Sequence, residues 1–201
     1  MNESLTGAKR RIEPADLLPL DEYGQVRAAR RRATTEIKKR RRVSVGPFAT
    51  FYFENYATMW QQVQEMLYIE KGGDAQVSDE LAAYNPLIPQ GSELIATVMF
   101  EIDDPQRRAR TLAQLGGIEH TIFIEVGGER IRGEADPTRE NTSPEGKASS
   151  VQFVRFPFTP PQIAAFKRRG ARILLGFDHP NYGHIATMAE PVREALAGDF
   201  D

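Results

Sequence analysis

The chain has 201 residues, which suits one domain, and 40% of them are hydrophobic, which is enough for a sizeable core. It contains no cysteine, and this excludes disulfides, cysteine nucleophiles, thiolate metal sites and iron–sulfur clusters held by the protein. No apolar run approaches the roughly 20 residues that cross a bilayer, and the stretch MNESLTGAKRRIEP has no apolar segment behind its charges. We therefore predict no membrane association, no secretory signal and a cytoplasmic location.

The net charge of −2 hides an uneven distribution. Residues 1–50 carry twelve Lys and Arg against six Asp and Glu, a charge of +6, and the remainder carries fourteen against twenty-two, a charge of −8. Most of the positive charge falls on a helix predicted over about residues 21–40, whose apolar stripe is thin. We predict a basic helical arm, residues 1–42, belonging to the same domain as an α+β remainder, residues 43–201.

Three interpretations of this basic helix compete. Its solvated face can lie against the acidic remainder of the domain, or against a second subunit in a homo-oligomer, and this interpretation is favoured. Nucleic-acid binding is disfavoured because almost no aromatic residues or glycines are interleaved with the basic ones. Contact with an anionic membrane is disfavoured because the apolar stripe is too poor to insert.

A strand over residues 42–53, interrupted by a bulge or break at Gly46-Pro47, leads into the most apolar helix of the chain. Asn55 is the predicted N-cap, and Gly72-Gly73 is the predicted left-handed exit. Trp60 should face the core, with a cofactor-binding surface as the alternative. Glu54 and Glu65 are expected to be solvated carboxylates.

Further along the chain, Ser78 is predicted to cap a short helix that ends at Asn85-Pro86. Residues 93–103 form the clearest strand, and its two apolar faces indicate that it is covered on both sides. Asp104 should cap a helix through residue 115. Residues 120–134 form a hairpin around Gly127-Gly128, with Glu125 opposite Arg130.

Together with the remaining elements, these features predict an α+β fold, with a largely antiparallel sheet of about seven strands and helices packed on it. The remaining elements are a mobile loop over 135–149, a strand over 150–158, a helix over 159–170 that begins with a capping box, strands over 171–177 and 184–189, and a short helix that starts at Pro191.

The stretch FDHPNYGH is the most unusual in the chain. If residues 180–183 form a four-residue loop, His179 and His184 face each other across its base and can share a divalent metal with a nearby carboxylate. The simpler interpretation is a polar hairpin turn shaped by its His-Pro step. A second candidate is a set of acids at strand ends, Glu54, Glu101, Asp103 and Asp104, which could hold magnesium or transfer protons. Helix capping by Asp104 and solvation of the others is favoured.

No GxxxxGK[ST], GxGxxG, GxSxG or DxDxT motif is present, and we predict no cofactor.

Three stretches, RRVSVGPFATFYFENYATMWQQVQEMLYIEK, YNPLIPQGSELIATVMFEIDD and GFDHPNYGHIATM, resemble a bacterial family catalogued only as a domain of unknown function. The resemblance covers nearly the whole chain and implies no activity. It does imply an association with rubrerythrin-like and iron–sulfur reductase proteins, and so with redox or peroxide-stress physiology. The positions that match the family pattern are Glu54, Asn55, Gln64, Glu65, Asp103, Asp178, His179, Pro180 and Tyr182.

The leading hypothesis is an accessory protein that binds a redox partner protein or a small ligand in a pocket between the central helix, the end of strand 93–103 and the 178–184 turn. The alternatives are a metal-dependent enzyme using His179, His184 and a carboxylate, and nucleic-acid binding by the basic arm. The predicted ligand-binding residues are Glu54, Trp60, Glu65, Asp103, His179, Tyr182 and His184.

Overall fold

The computed structural model describes residues 9–201, so the first eight residues of the predicted arm lie outside the described residues. Over this range the chain forms six α-helices and nine β-strands. The helices are α1 (Leu20–Lys39), α2 (Tyr56–Glu70), α3 (Gly73–Tyr84), α4 (Pro105–Leu112), α5 (Pro160–Lys167) and α6 (Glu190–Ala197). The strands are β1 (Arg42–Val45), β2 (Ala49–Phe53), β3 (Glu93–Phe100), β4 (Ile122–Val126), β5 (Glu129–Arg132), β6 (Glu134–Ala135), β7 (Val151–Pro157), β8 (Ile173–His179) and β9 (Tyr182–Thr187).

The strands form two antiparallel sheets, with the orders β1-β2-β3-β7-β6 and β5-β4-β8-β9. The predicted α+β class with antiparallel pairing is confirmed. There are nine strands rather than about seven because residues 42–53 form a hairpin, not one strand with a bulge or break, and Glu134–Ala135 forms a strand of its own. Gly46 makes the reversal with a φ of 68°, a left-handed conformation that glycine adopts without steric cost.

The main core lies between the two sheets. Phe51 and Phe100 of the first sheet meet Phe177 of the second, with ring centroids 5.3 and 6.1 Å apart. All three rings are at most 3% exposed. Aromatic pairs at these separations add to the stabilisation from burying apolar area, so this contact fixes the two sheets face to face.

Helix α2 covers the outer face of the first sheet and builds a second core there. Met59, Trp60 and Val63 of α2 pack with Ile95 of β3, while Leu94 of β3 faces the other sheet. Strand β3 is therefore covered on both sides, as its two apolar faces predict. Helix α1 packs against α2 in turn, with its one fully buried side chain, Tyr23, in the second core.

Two predicted helix caps and one predicted hairpin register are confirmed. Asn55 caps α2, accepting from the Thr58 amide at 3.0 Å, and Asp104 caps α4 in the same way. The Gly127-Gly128 turn gives the predicted register, with Glu125 opposite Arg130.

The predicted start of the next helix at Ser78 is wrong. Helix α3 begins at Gly73, immediately after α2, and the left-handed residues at this junction are Lys71 and Gly73 rather than Gly72. The side chain of Gln76 explains the early start, because its Oε1 accepts from the Gly72 amide at 2.7 Å. This bond satisfies an amide that would otherwise lack a partner at the helix beginning.

Candidate functional site

Glu54 occupies the junction between β2 and α2, where the chain leaves the first sheet. Its backbone amide continues the strand ladder by donating to the Ile95 carbonyl at 2.8 Å. The next residue, Asn55, caps α2. The junction is therefore held by a strand hydrogen bond on one side and a helix cap on the other, which orients the Glu54 side chain rigidly.

The carboxylate of Glu54 is buried, and the expectation that it is solvated is wrong. The residue is 5% exposed. Each carboxylate oxygen accepts one threonine hydroxyl, from Thr58 at 2.6 Å and from Thr97 at 2.7 Å. A carboxylate has room for about four hydrogen bonds, so both oxygens can accept another donor.

Glu54 also differs from the other buried carboxylates of residues 9–201. Each of the other three has a side-chain nitrogen of Arg or His within 4.0 Å: Asp199 pairs with Arg41, the Arg155 guanidinium lies 3.9 Å from Glu93, and the His120 imidazole lies 3.9 Å from Glu119. Within the same residues, no basic nitrogen lies within 4.0 Å of the Glu54 carboxylate. Because a buried charge is costly without a partner of opposite charge, Glu54 is the buried acid best suited to an external cation.

A cavity of about 350 Å³ opens beside this carboxylate, between the first sheet and helices α2 and α3. We call it the Glu54 pocket. Its floor includes a row across three strands, since Tyr52 pairs with Thr97 and Thr97 with Phe153. The pocket is lined by Lys38, Tyr52, Glu54, Met59, Gln62, Tyr84, Leu87, Thr97, Met99, Val151 and Phe153.

The lining combines one carboxylate with three aromatic rings and two thioethers. Aromatic faces and polarisable sulfur attract cations and alkyl groups, and the volume lies at the small end of the range for ligand pockets. Tyr52 keeps its ring in place by donating its hydroxyl to Glu101 at 2.9 Å. Lys38 is the one basic side chain in the lining, and it is half-buried.

The sequence analysis identified Glu54 as a candidate but did not identify the other residues that line its pocket. The signal that could have found some of them is the two-residue period of a strand, which puts Tyr52 on the face of Glu54, and Met99 on that of Thr97. Nothing local in the sequence indicates that Phe153 and Tyr84 join them, because they come from β7 and the end of α3.

Trp60 and Glu65 lie between α1 and α2 instead. The indole of Trp60 donates to the Asp16 carbonyl at 2.9 Å, and the Arg30 guanidinium lies 5.2 Å from the ring centroid. Glu65 forms a bidentate pair with Arg27, at 2.8 and 3.0 Å, so it too is not a freely solvated carboxylate. Hydrogen bonding to Arg27 holds the pKa of Glu65 below its ordinary value.

The predicted facing pair of His179 and His184 is wrong. The hairpin turn has two residues rather than four, so His179 pairs with Tyr182, and His184 pairs with Phe177. His179 is buried and its Nε2 lies 3.3 Å from the Gly116 carbonyl. In residues 9–201, no group of three or more His, Cys, Asp or Glu side chains is arranged to hold a metal ion.

Tyr182 has a structural role at this turn. Its hydroxyl accepts from the amides of Phe48 and Ala49 and donates to the Val45 carbonyl, all at 2.9 Å. Asp103 lies exposed between β3 and α4. The structure thus places the 178–184 turn on the second sheet, and none of its residues lines the Glu54 pocket.

No helix in residues 9–201 is both long and apolar enough to span a membrane.

Comparisons with known proteins match nearly the whole chain to proteins described as being of unknown function. The model of the family described as "Protein of unknown function (DUF3501)" matches residues 11–200. A crystal structure of a novel protein of unknown function from Burkholderia pseudomallei K96243 is 37% identical, with a TM-score of 0.88. That match covers 94% of this chain and 99% of the other. No curated protein matches the sequence.

Proposed function

Because the chain belongs to the family described as protein of unknown function (DUF3501), whose description carries no activity, we propose its function from the Glu54 pocket. The protein binds a small organic cation, such as a primary or quaternary amine, in this pocket. The single observation that carries the proposal is the buried Glu54 carboxylate, which has two hydroxyl donors and, among residues 9–201, no basic nitrogen within 4.0 Å.

The chemistry of the lining supports a cationic ligand over a neutral or anionic one. An ammonium group beside Glu54 supplies an opposite charge to a carboxylate that is only 5% exposed, and charge pairs at buried groups are stronger than in bulk water. Tyr52, Tyr84 and Phe153 offer aromatic faces to the alkyl groups that carry the positive charge. An anion would instead meet the Glu54 carboxylate at close range.

Lys38 provides an internal check on the sign of the ligand charge. Its side chain lines the same cavity, so its ammonium competes with a bound cation and would attract a bound anion. Lys38→Met keeps most of the length and removes the charge. We expect this variant to bind cations more tightly than the wild type.

The test uses choline and its neutral isostere 3,3-dimethyl-1-butanol, titrated into the protein and followed by calorimetry. The two probes share size and shape and differ in the positive charge. We expect choline to bind at least about tenfold more tightly, since a desolvated cation–π contact alone contributes about 2 kcal/mol. Equal affinity for the two probes, or no heat from choline at millimolar concentration, would refute the proposal.

A pair of matched variants separates the pocket from general effects of charge. Glu54→Gln keeps the shape and can still bond to both threonine hydroxyls, which rotate to donate or accept, so the fold should persist. Glu93→Gln makes the same change at a buried glutamate outside the pocket. We expect choline binding to be lost in the first variant and kept in the second.

The broader physiology stays a prediction. A redox or peroxide-stress context, an accessory role beside a redox partner protein, a homo-oligomer through the basic helix and a cytoplasmic location rest on the resemblance and on the charge distribution. Pull-down of partner proteins under oxidising and reducing conditions, with and without residues 1–42, tests the accessory role directly.

A further inference from the structure

The four edge strands of the two sheets in residues 9–201 are protected unequally against pairing with another chain. The first sheet ends at β1 and β6, and the second ends at β5 and β9. Strand β6 has only two residues, β1 carries Arg42, and three of the four residues of β5 are charged. Strand β9 has six residues, YGHIAT, without Lys, Arg, Asp or Glu. Short length and charged side chains are the usual protection of an edge strand, and among these four edges β9 has neither.

The backbone groups of every second residue of β9 point away from the sheet. The Met188 amide donates to the Ile173 carbonyl at 2.9 Å, and bonding to β8 alternates along β9 from there, so it uses the even-numbered residues. The amides and carbonyls of Gly183, Ile185 and Thr187 therefore face outward. They have no hydrogen-bond partner among residues 9–201, and all three residues are exposed. The outer edge of β9 can thus accept one more strand.

The outer face of the second sheet carries an apolar row that ends at β9. The register places Phe123 of β4, Gly176 of β8 and Ile185 of β9 side by side. Gly176 leaves the space that the other two side chains fill, since a Cβ added there would lie about 3 Å from each of them. Phe123 is 1% exposed, whereas Ile185 is 54% exposed. The row is therefore closed at its inner end and open to solvent at the edge strand, where a further apolar side chain could cover it.

We propose that two copies of this chain pair through β9, antiparallel about a two-fold axis at Ile185, so that their four-stranded sheets join into one continuous sheet. In this register Ile185 lies opposite the partner's Ile185, and Gly183 lies opposite the partner's Thr187. The outward groups of these three residues then exchange two backbone hydrogen bonds in each opposed pair. The apolar row continues through the two isoleucines into the second copy.

A second copy fits this edge because the edge is complementary to itself. Pairing about a two-fold axis uses the same edge on both sides, so it closes at two copies and leaves the charged β5 edges at the ends of the joined sheet. Since β9 has no Lys, Arg, Asp or Glu, its side chains bring no like charges together across the axis. Asp178, the one acidic residue of β8, is already paired with Arg130 at 2.6 Å.

Sedimentation equilibrium of the full chain measures the association, and we expect the wild type to dimerise in the micromolar range. Ile185→Lys places two ammonium groups opposite each other at the axis and should raise the dissociation constant of the dimer at least about tenfold. The matched control, Ile69→Lys, makes the same change at a 62% exposed position of α2 and should alter that constant less than about twofold. A wild type that stays monomeric throughout this range, or equal effects of the two variants, would overturn the proposal.

A mixture of variants tests the register. Ile185→Glu alone should weaken the dimer as Ile185→Lys does, because it also sets like charges opposite each other. Mixing the two variants should restore a dimer, since the axis then brings unlike charges together. A mixture that remains monomeric would refute the pairing centred on Ile185.

Hydrogen exchange followed by NMR separates strand pairing from any other dimer. In concentrated wild type, the amides of Ile185 and Thr187 should exchange slowly, and dilution or Ile185→Lys should remove this protection. The amides of Arg130 and Arg132 point away from β4 at the opposite edge of the sheet and should exchange rapidly at every concentration. Association through the basic helix α1 would leave the β9 amides unprotected, and that result would overturn the proposal. No residue of β9 lines the Glu54 pocket, so the dimer and the ligand are tested independently.

Discussion

Replacing Tyr182 by phenylalanine removes the hydroxyl group that makes three hydrogen bonds to the turn between β1 and β2. The hydroxyl accepts from the amides of Phe48 and Ala49 and donates to the Val45 carbonyl, each at 2.9 Å. The residue is 3% exposed, and burial raises the pKa of its hydroxyl, which therefore stays protonated and able to donate. The aromatic ring, which packs against Phe177 and Phe48, is unchanged by the substitution.

The expected loss of stability follows from the three backbone groups that lose the hydroxyl as their hydrogen-bond partner. A neutral hydrogen bond contributes about 1 kcal/mol net, and a buried group left without a partner costs about 1–3 kcal/mol. Val45 and Ala49 are fully buried, so water cannot replace the hydroxyl there, whereas Phe48 is half-buried. We therefore expect Tyr182→Phe to lower the free energy of unfolding by about 3–5 kcal/mol.

The matched control is Tyr52→Phe, which removes one hydroxyl bond to the exposed carboxylate of Glu101. We expect a loss below about 1 kcal/mol there, because water can bond to the exposed Glu101 carboxylate in place of the lost hydroxyl. Urea denaturation of the two variants and the wild type measures both free energies, with an unchanged m-value as the check that only stability has moved. A loss for Tyr182→Phe within 1 kcal/mol of the control would refute the assigned role of the hydroxyl.

Two further predictions concern the ion pair between α1 and α2 and the β1–β2 turn. Arg27 holds the pKa of Glu65 below its ordinary 4.5, so the stability that this carboxylate adds is fully present above pH 4.5 and is lost as the pH falls through the lowered pKa. Glu65→Gln should cost about 1–2 kcal/mol at pH 7 and clearly less at pH 3 in urea denaturation, and an equal cost at both pH values would contradict the ion pair. Gly46→Ala should destabilise more than Gly127→Ala in thermal denaturation: both glycines have positive φ, but an added Cβ would lie 2.5 Å from the His184 ring at Gly46 and meet nothing within 4 Å at Gly127. In both variants, alanine in a left-handed conformation costs about 1–2 kcal/mol. Equal losses of thermal stability would therefore show that the close contact at Gly46 is relieved without cost.

Features set by neighbouring residues could be predicted from the sequence. The cap of α2 needs Asn55 and the residues just after it, and the register of the β4–β5 hairpin needs the glycine pair at its turn. The two apolar faces of β3 correctly indicated a strand covered on both sides, because alternating side chains point to opposite faces of a sheet. In each case the interactions that decide the structure span only a few residues.

Features decided by distant residues could not be predicted in this way. Residues 42–53 read as one strand, but they reverse at Gly46 where the Tyr182 hydroxyl, more than 130 residues away, binds the turn. Likewise, the turn after His179 has two residues rather than four, so His179 pairs with Tyr182 instead of His184, and this one change re-pairs every side chain of the hairpin.

The features of the candidate site also separate into those set by neighbouring residues and those set by distant ones. By itself, the sequence determined the fold class, the position of Glu54 between a strand and a helix, and the helix cap that follows it. Only the tertiary structure decided that this carboxylate is buried with no basic side chain of residues 9–201 within 4.0 Å, because its solvent exposure and its partners depend on three strands and three helices that meet around it. Burial and electrostatic pairing are properties of the assembled core, and residues from β2, β3, β7 and α3 become neighbours only when the chain has folded.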